Sequence, residues 1–110
     1  MPQGLTTVFT EPGKPFELET LPTPEIETGG ILIKNTGAVI CGSDLHVWRG
    51  DGDGPPLSKR RVLGHEFTGV VHSLGNGINT DSLRRPLKEG DRVAFPFFFP
   101  CNKCYHCIRG

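Results

Sequence analysis

The residues best suited to chemistry are the cysteines and what stands near them. The 110-residue chain has four, and three stand together in Cys101-Asn102-Lys103-Cys104-Tyr105-His106-Cys107. Two-residue gaps let a single turn bring ligands at i and i+3 around one tetrahedral ion, at zinc–thiolate distances of about 2.3 Å. Iron–sulfur clusters use similar gaps but normally need further cysteines. A disulfide would leave one thiol of the run over. Structural zinc is the favoured reading, with a cluster and unligated thiols as the alternatives. His106 adjoins Cys107 and makes a strained fourth ligand, so the fourth is expected beyond Gly110.

The second constellation is Cys41 with Gly64-His65-Glu66. A thiolate, an imidazole and a carboxylate meeting at one point suit an open, catalytic zinc site. The alternative is a buried free cysteine and a hydrogen-bonded histidine.

These residues need elements to hold them. Alternation suggests strands at 5–10 and 16–20, separated by the turn signal Glu11-Pro12-Gly13-Lys14-Pro15. Pro22 and Pro24 force extended chain. Residues 31–40 form the longest apolar stretch and are expected to be the central strand, ending at Cys41 as a buried strand would. Ser43 and Asp44 are expected to cap a short helix over 44–49, because their side chains accept from free amides. Trp48 would then pack that helix onto the sheet or line a cleft. Residues 50–56 must be a loop. Strands are expected at 67–74, with His72 pointing outward, and at 91–97. The stretch 79–89 has no assigned partner. Gly75-Asn76-Gly77 begins like a dinucleotide fingerprint but lacks a third glycine and a following helix. Asp51 and Asp53 resemble the start of a calcium loop, which Pro55 and Pro56 interrupt and no acid closes.

Composition narrows the function. Gly 15 and Pro 10, with alanine only at positions 38 and 94, indicate a β-rich domain with many turns and one core. Lysine plus arginine equals aspartate plus glutamate at 12 each, which gives no electrostatic footprint for nucleic acid or an anionic membrane. Five acids in the first thirty residues, and Arg84, Arg85, Lys88 and Arg92, read as solvated faces. No apolar run approaches the ~20 residues of a membrane span. The start, Met1-Pro2-Gln3-Gly4, has no leader-like character, so cytosol is expected.

Four motifs in register carry a resemblance: Cys41-Gly42-Ser43-Asp44-Leu45-His46, Gly64-His65-Glu66-Phe67-Thr68-Gly69, Gly90-Asp91-Arg92-Val93 and the three-cysteine run. Together they resemble the zinc-dependent alcohol dehydrogenases of the medium-chain dehydrogenase/reductase superfamily. The resemblance implies that residues 1–110 are an N-terminal, GroES-like catalytic domain. Its fold would be mainly β, a partly open barrel with short helices and a zinc lobe from about residue 97. It implies Cys41, His65 and Glu66 at catalytic zinc, with Glu66 as ligand or close neighbour. Asp44 would orient His65. Ser43 would take the alcohol proton and pass it toward the His46 imidazole. Cys101, Cys104 and Cys107 would hold structural zinc. Hydride would go to NAD or NADP, bound by a Rossmann domain expected from later sequence, as are one further ligand of each zinc. The substrate would be a small alcohol or polyol, and the family admits homo-oligomers. The competing expectation is a zinc-binding β module that acts as a scaffold or partner-binding domain without catalysis.

Overall fold

The computed structural model describes residues 3–51 and 60–110. Its elements in chain order are β1 (Gln3–Val8), β2 (Glu17–Pro22), β3 (Ile31–Ala38), α1 (Gly42–Arg49), β4 (Phe67–Leu74), β5 (Arg92–Ala94) and α2 (Tyr105–Arg109). The class is mainly β with short helices, as expected. The described strands form two open sheets, β1-β2 and β3-β4-β5. Among the described residues no helix is long and apolar enough to cross a membrane.

β1 and β2 form an antiparallel hairpin, paired from Gln3↔Pro22 to Val8↔Glu17. The turn between them contains Gly13 at φ +75°, a backbone state that side chains disfavour. Arg61 closes onto this hairpin through a bridge to Phe9, with N–H···O distances of 2.7 and 2.9 Å. Arg60 adds charged contacts to Glu19 and Glu17.

In the second sheet the central strand is β4, and β3 is an edge. That corrects the expectation for 31–40, where apolar content was read as burial between two neighbours. Gly69 gives the physical reason. It pairs with Asn35 on one side and Val93 on the other. A side chain there would lie 2.5 Å from both the Ile33 side chain and the Lys34 carbonyl oxygen. β5 is shorter than the expected 91–97. It stops at Ala94, and Pro96, which has no N–H for a ladder, follows closely.

α1 begins earlier than expected, and its cap is different. The N-cap is Cys41; Asp44 stands in the third helical position and accepts the Cys41 amide at 3.0 Å. Ser43 lies inside the first turn. The far end of α1 is tied to the hairpin turn. The Trp48 indole donates to the Lys14 carbonyl at 2.8 Å, and the Gly13 amide donates to the Trp48 carbonyl at 2.7 Å. Trp48 therefore ties the helix to the hairpin turn rather than lying on a sheet face. The loop read at 50–56, with Asp53, Pro55 and Pro56, lies from residue 52 onward outside the described residues.

The stretch 79–89 makes its own small loop. Thr80 bridges Pro86, and Asp81 accepts the Leu83 and Arg85 amides at 2.9 Å each. Gly75-Asn76-Gly77 is a turn, as expected; an added side chain at Gly75 would lie 2.2 Å from the Glu27 carbonyl oxygen.

The core is small. Val8, Phe9 and Val71 are the buried hydrophobic residues among those described. Phe9 meets Phe16 edge-on, with ring centroids 6.1 Å apart. Val39 and Ile40 are 65% and 80% exposed, so the chain reaching Cys41 is not the end of a buried strand. The Cα radius of gyration is 16.1 Å, against about 13 Å expected for a compact domain near this length.

Candidate metal centres

Strand register brings the first centre together. The β3–β4 ladder closes at Ala38↔Phe67, after two register shifts between Leu32/Ile33 and Asn35/Gly37. One further backbone bond follows, from the Val39 amide to the Glu66 carbonyl at 3.1 Å. Chain leaving β3 thus runs beside chain entering β4, and Cys41 arrives next to His65 and Glu66. Gly64 makes the approach with φ +114°; the Phe67 ring occupies the space a side chain would need there, 2.8 Å from the ideal Cβ.

The donor atoms of Cys41, His65 and Glu66 all lie within 4.8 Å of one another. The Ser43 hydroxyl stands 3.5 Å from His65 Nε2. On the other side of the ring, Asp44 Oδ1 lies 3.6 Å from His65 Nδ1. Asp44 therefore does two things: it ties the start of α1 and faces the histidine. Hydrogen bonds from the Ser43 hydroxyl and amide, and then from His65, hold the Cys41 thiol below its ordinary pKa, against burial and the Glu66 charge. The Cys41 contact raises His65, with help from Asp44, Cys41 and Glu66 charges and against burial. A sulfur biased toward thiolate is the form that ligates metal.

The second centre is built by the start of α2, an element the sequence reading did not assign. The donor atoms of Cys101, Cys104 and Cys107 also lie within 4.8 Å of one another, and the Cys101 and Cys107 sulfurs are 3.6 Å apart. Cys104 is the N-cap of α2. Amides point at the sulfurs: Lys103 and Cys104 donate to Cys101 at 3.5 and 3.4 Å, and Cys107 donates to Cys104 at 3.4 Å. The Lys103 and Cys104 amides, followed by the neighbouring thiols, lower the Cys101 pKa to about 7. Both donor sets fit zinc by chemistry: sulfur and imidazole ligands, with amide N–H groups that favour anionic sulfur. His106 is in α2 but outside the cluster of donors; its ring meets Tyr105 edge-on at 5.5 Å.

His46 lies one helical turn after Ser43, so the two share a face of α1. Its ring is exposed, with Nδ1 3.5 Å from Asp51 Oδ2. His72 is exposed on β4, as expected.

Sequence reasoning passed over the aromatic wall. A cleft of about 560 Å³ opens beside His65 and Glu66, with Val39, Phe67, Phe95 and Phe97 in its lining. Phe97 meets the His65 ring at 5.9 Å, and Phe95 stands between Phe67 and Phe99 at 5.8 and 6.4 Å. The signal was present in Phe95-Pro96-Phe97-Phe98-Phe99, an aromatic run directly before the cysteines.

Comparison with known proteins identifies the fold family. The profile of the alcohol dehydrogenase GroES-like domain matches residues 27–110. The chain is 36% identical over 104 residues to zinc-type alcohol dehydrogenase B of Aspergillus flavus, covering 94% of this chain and 22% of that protein. It is 40% identical over 103 residues to putative alcohol dehydrogenase D of Mycobacterium tuberculosis, covering 94% and 26%. In three dimensions it resembles acetophenone reductase from Geotrichum candidum, solved in complex with NAD, with TM-score 0.80 and 33% identity over 100% of this chain and 30% of that one. The chain thus spans about a quarter of the length of the curated relatives it matches. Profile, relatives, fold and two thiol-centred donor sets agree, and the chain belongs to the alcohol dehydrogenase GroES-like domain family.

Proposed function

We propose that residues 1–110 are the N-terminal, zinc-holding catalytic domain of a dehydrogenase that oxidises a small alcohol or polyol with NAD or NADP. The cofactor would be bound by a separate Rossmann domain, and the second zinc lobe would run from about residue 97.

One observation carries the reading. Cys41, His65 and Glu66 converge to within 4.8 Å, and a hydroxyl that is not a metal donor, Ser43, touches the same histidine. A purely structural site has no use for that hydroxyl. Cys41, His65 and Glu66 would hold the catalytic zinc, which as a Lewis acid makes an alcohol proton easier to remove. Asp44 keeps His65 in register through Nδ1 and holds the first turn of α1. Ser43 accepts the alcohol proton at Oγ. It cannot store that proton, so it hands it along the helix face toward the His46 imidazole, which can hold one. Phe97 meets the His65 ring edge-on and lines the cleft beside it. Cys101, Cys104 and Cys107 would hold structural zinc and brace the chain that leaves β5.

Two substitutions test this in the dehydrogenase that carries these residues together with a cofactor domain. Ser43→Ala keeps its zinc and loses roughly 10²–10⁴-fold in turnover, the usual cost of a lost proton-transfer group. Cys41→Ala loses the catalytic zinc itself. Metal analysis beside steady-state kinetics separates the two. Full activity in Ser43→Ala, or loss of its zinc, would overturn the relay.

A further inference from the structure

We infer that Asp51 is a positioning residue for His46: it accepts the Nδ1 proton, so that Nε2 presents the lone pair that receives a proton. The inference deepens the relay reading above and rests on it.

The geometry begins at the end of α1. Gly50 takes the left-handed conformation at φ +76°, which reverses the chain. The Gly50 amide then bonds the Val47 carbonyl at 3.1 Å, and the Asp51 amide bonds the His46 carbonyl at 2.9 Å. This pair of reversed bonds is a Schellman cap. It ties the backbone of residue 51 to the backbone of residue 46. The cap is itself braced: a side chain at Gly50 would lie 3.1 Å from Pro12, and Trp48 is bonded to Gly13 and Lys14 beside it. Asp51 is therefore delivered to His46 by the fold. Its Oδ2 stands 3.5 Å from His46 Nδ1.

Both side chains are more than half exposed. An exposed pair of this kind adds little to stability. Its consequence is orientation. A carboxylate has no proton to give, so beside Nδ1 it selects the tautomer that carries hydrogen on that atom. Nε2 is left as the acceptor. With Nδ1 turned to Asp51, Nε2 is the nitrogen at which a relay ending on His46 would deliver its proton.

The test reads the tautomer directly. The protein is labelled with 15N-histidine, and His46 is assigned from the signals lost in His46→Gln. Above the imidazole titration, long-range 1H–15N spectra distinguish the two nitrogens. The expected result is a dominant Nδ1–H form in the native protein, a shift toward Nε2–H in Asp51→Ala, and recovery in Asp51→Glu. A dominant Nε2–H form in the native protein, or an unchanged ratio in Asp51→Ala, overturns the pairing. In the active dehydrogenase, Asp51→Ala is expected to lower kcat several-fold with KM and zinc content unchanged. A Ser43→Ala enzyme that is slowed while Asp51→Ala keeps full kcat overturns the positioning role alone. A Ser43→Ala enzyme that is not slowed overturns the relay beneath it.

Discussion

Single residues divide their work between holding the chain and holding charge, and Asp44 does both. Its carboxylate accepts the Cys41 amide and faces His65 Nδ1, so the helix start and the candidate ligand are set by one side chain. The cysteines of the second centre are a parallel case. Cys104 caps α2 by accepting the Cys107 amide and lies among the three sulfurs. Cys104→Ser should therefore weaken zinc by more than the ~10–100-fold typical of losing an outer-shell partner, because a hydroxyl replaces a thiolate. Residues 97–110 should loosen while the β3-β4-β5 ladder persists, since such lobes owe their order to the metal. Zinc competition with a chromogenic chelator, together with amide exchange, would check it. Loss of the β4 amides along with the lobe would contradict it.

Among the elements, the β4–β5 connection shows how a turn is held by charge. Asp91 accepts the Lys88 amide at 2.9 Å, and its own carbonyl takes the Val71 amide at 2.9 Å. That first bond, followed by the Lys88 side chain, holds the Asp91 carboxyl below its ordinary value of 3.8, against burial. The sign follows from linkage. A carboxyl depressed on folding stabilises above its unfolded pKa, and the contribution fades as pH falls through the lower folded value. Amide protection at Val71 and Gly90 should thus be lower in Asp91→Asn than in the native chain at neutral pH. The difference should begin to shrink below about pH 4, where the unfolded carboxyl protonates, and vanish only below the lower folded value. A difference that persisted at lower pH would show that shape, rather than charge, holds the turn. The turn itself, Glu89-Gly90-Asp91, was legible in the sequence. The edge position of β3 was not, because apolar content reports burial and says nothing of hydrogen-bonded neighbours.

Taken as a whole, the molecule leaves much apolar surface uncovered. Phe97, Phe98 and Phe99 are exposed after β5 and Leu5 and Leu18 on the hairpin, while the described core has three buried hydrophobic residues. Exposed apolar area on this scale marks surface that packs against something else. The 110-residue chain by itself should therefore bind the dye ANS strongly. It should also show no alcohol-dependent reduction of NAD or NADP, since nothing in its described fold positions a hydride acceptor. Dye fluorescence and a spectrophotometric assay on the purified chain test both. Weak dye binding with a sharp, cooperative thermal transition would show a self-sufficient domain.

Residue type and spacing by themselves marked out the three-cysteine run as a donor set, because ligand chemistry is written in side chains and a two-residue gap is a local turn. They also determined the strand at 67–74, where alternation, glycine and turn signals agree at short range. The tertiary structure alone decided that Cys41 meets His65, because the meeting depends on a ladder with two register shifts that no local pattern encodes. It also decided that Cys41, rather than Ser43 or Asp44, caps α1, since the Asp44 carboxylate reaches back to the Cys41 amide. Finally, it set Asp51 beside His46. That contact needs a left-handed glycine and a braced helix end at once, and only the folded chain supplies both.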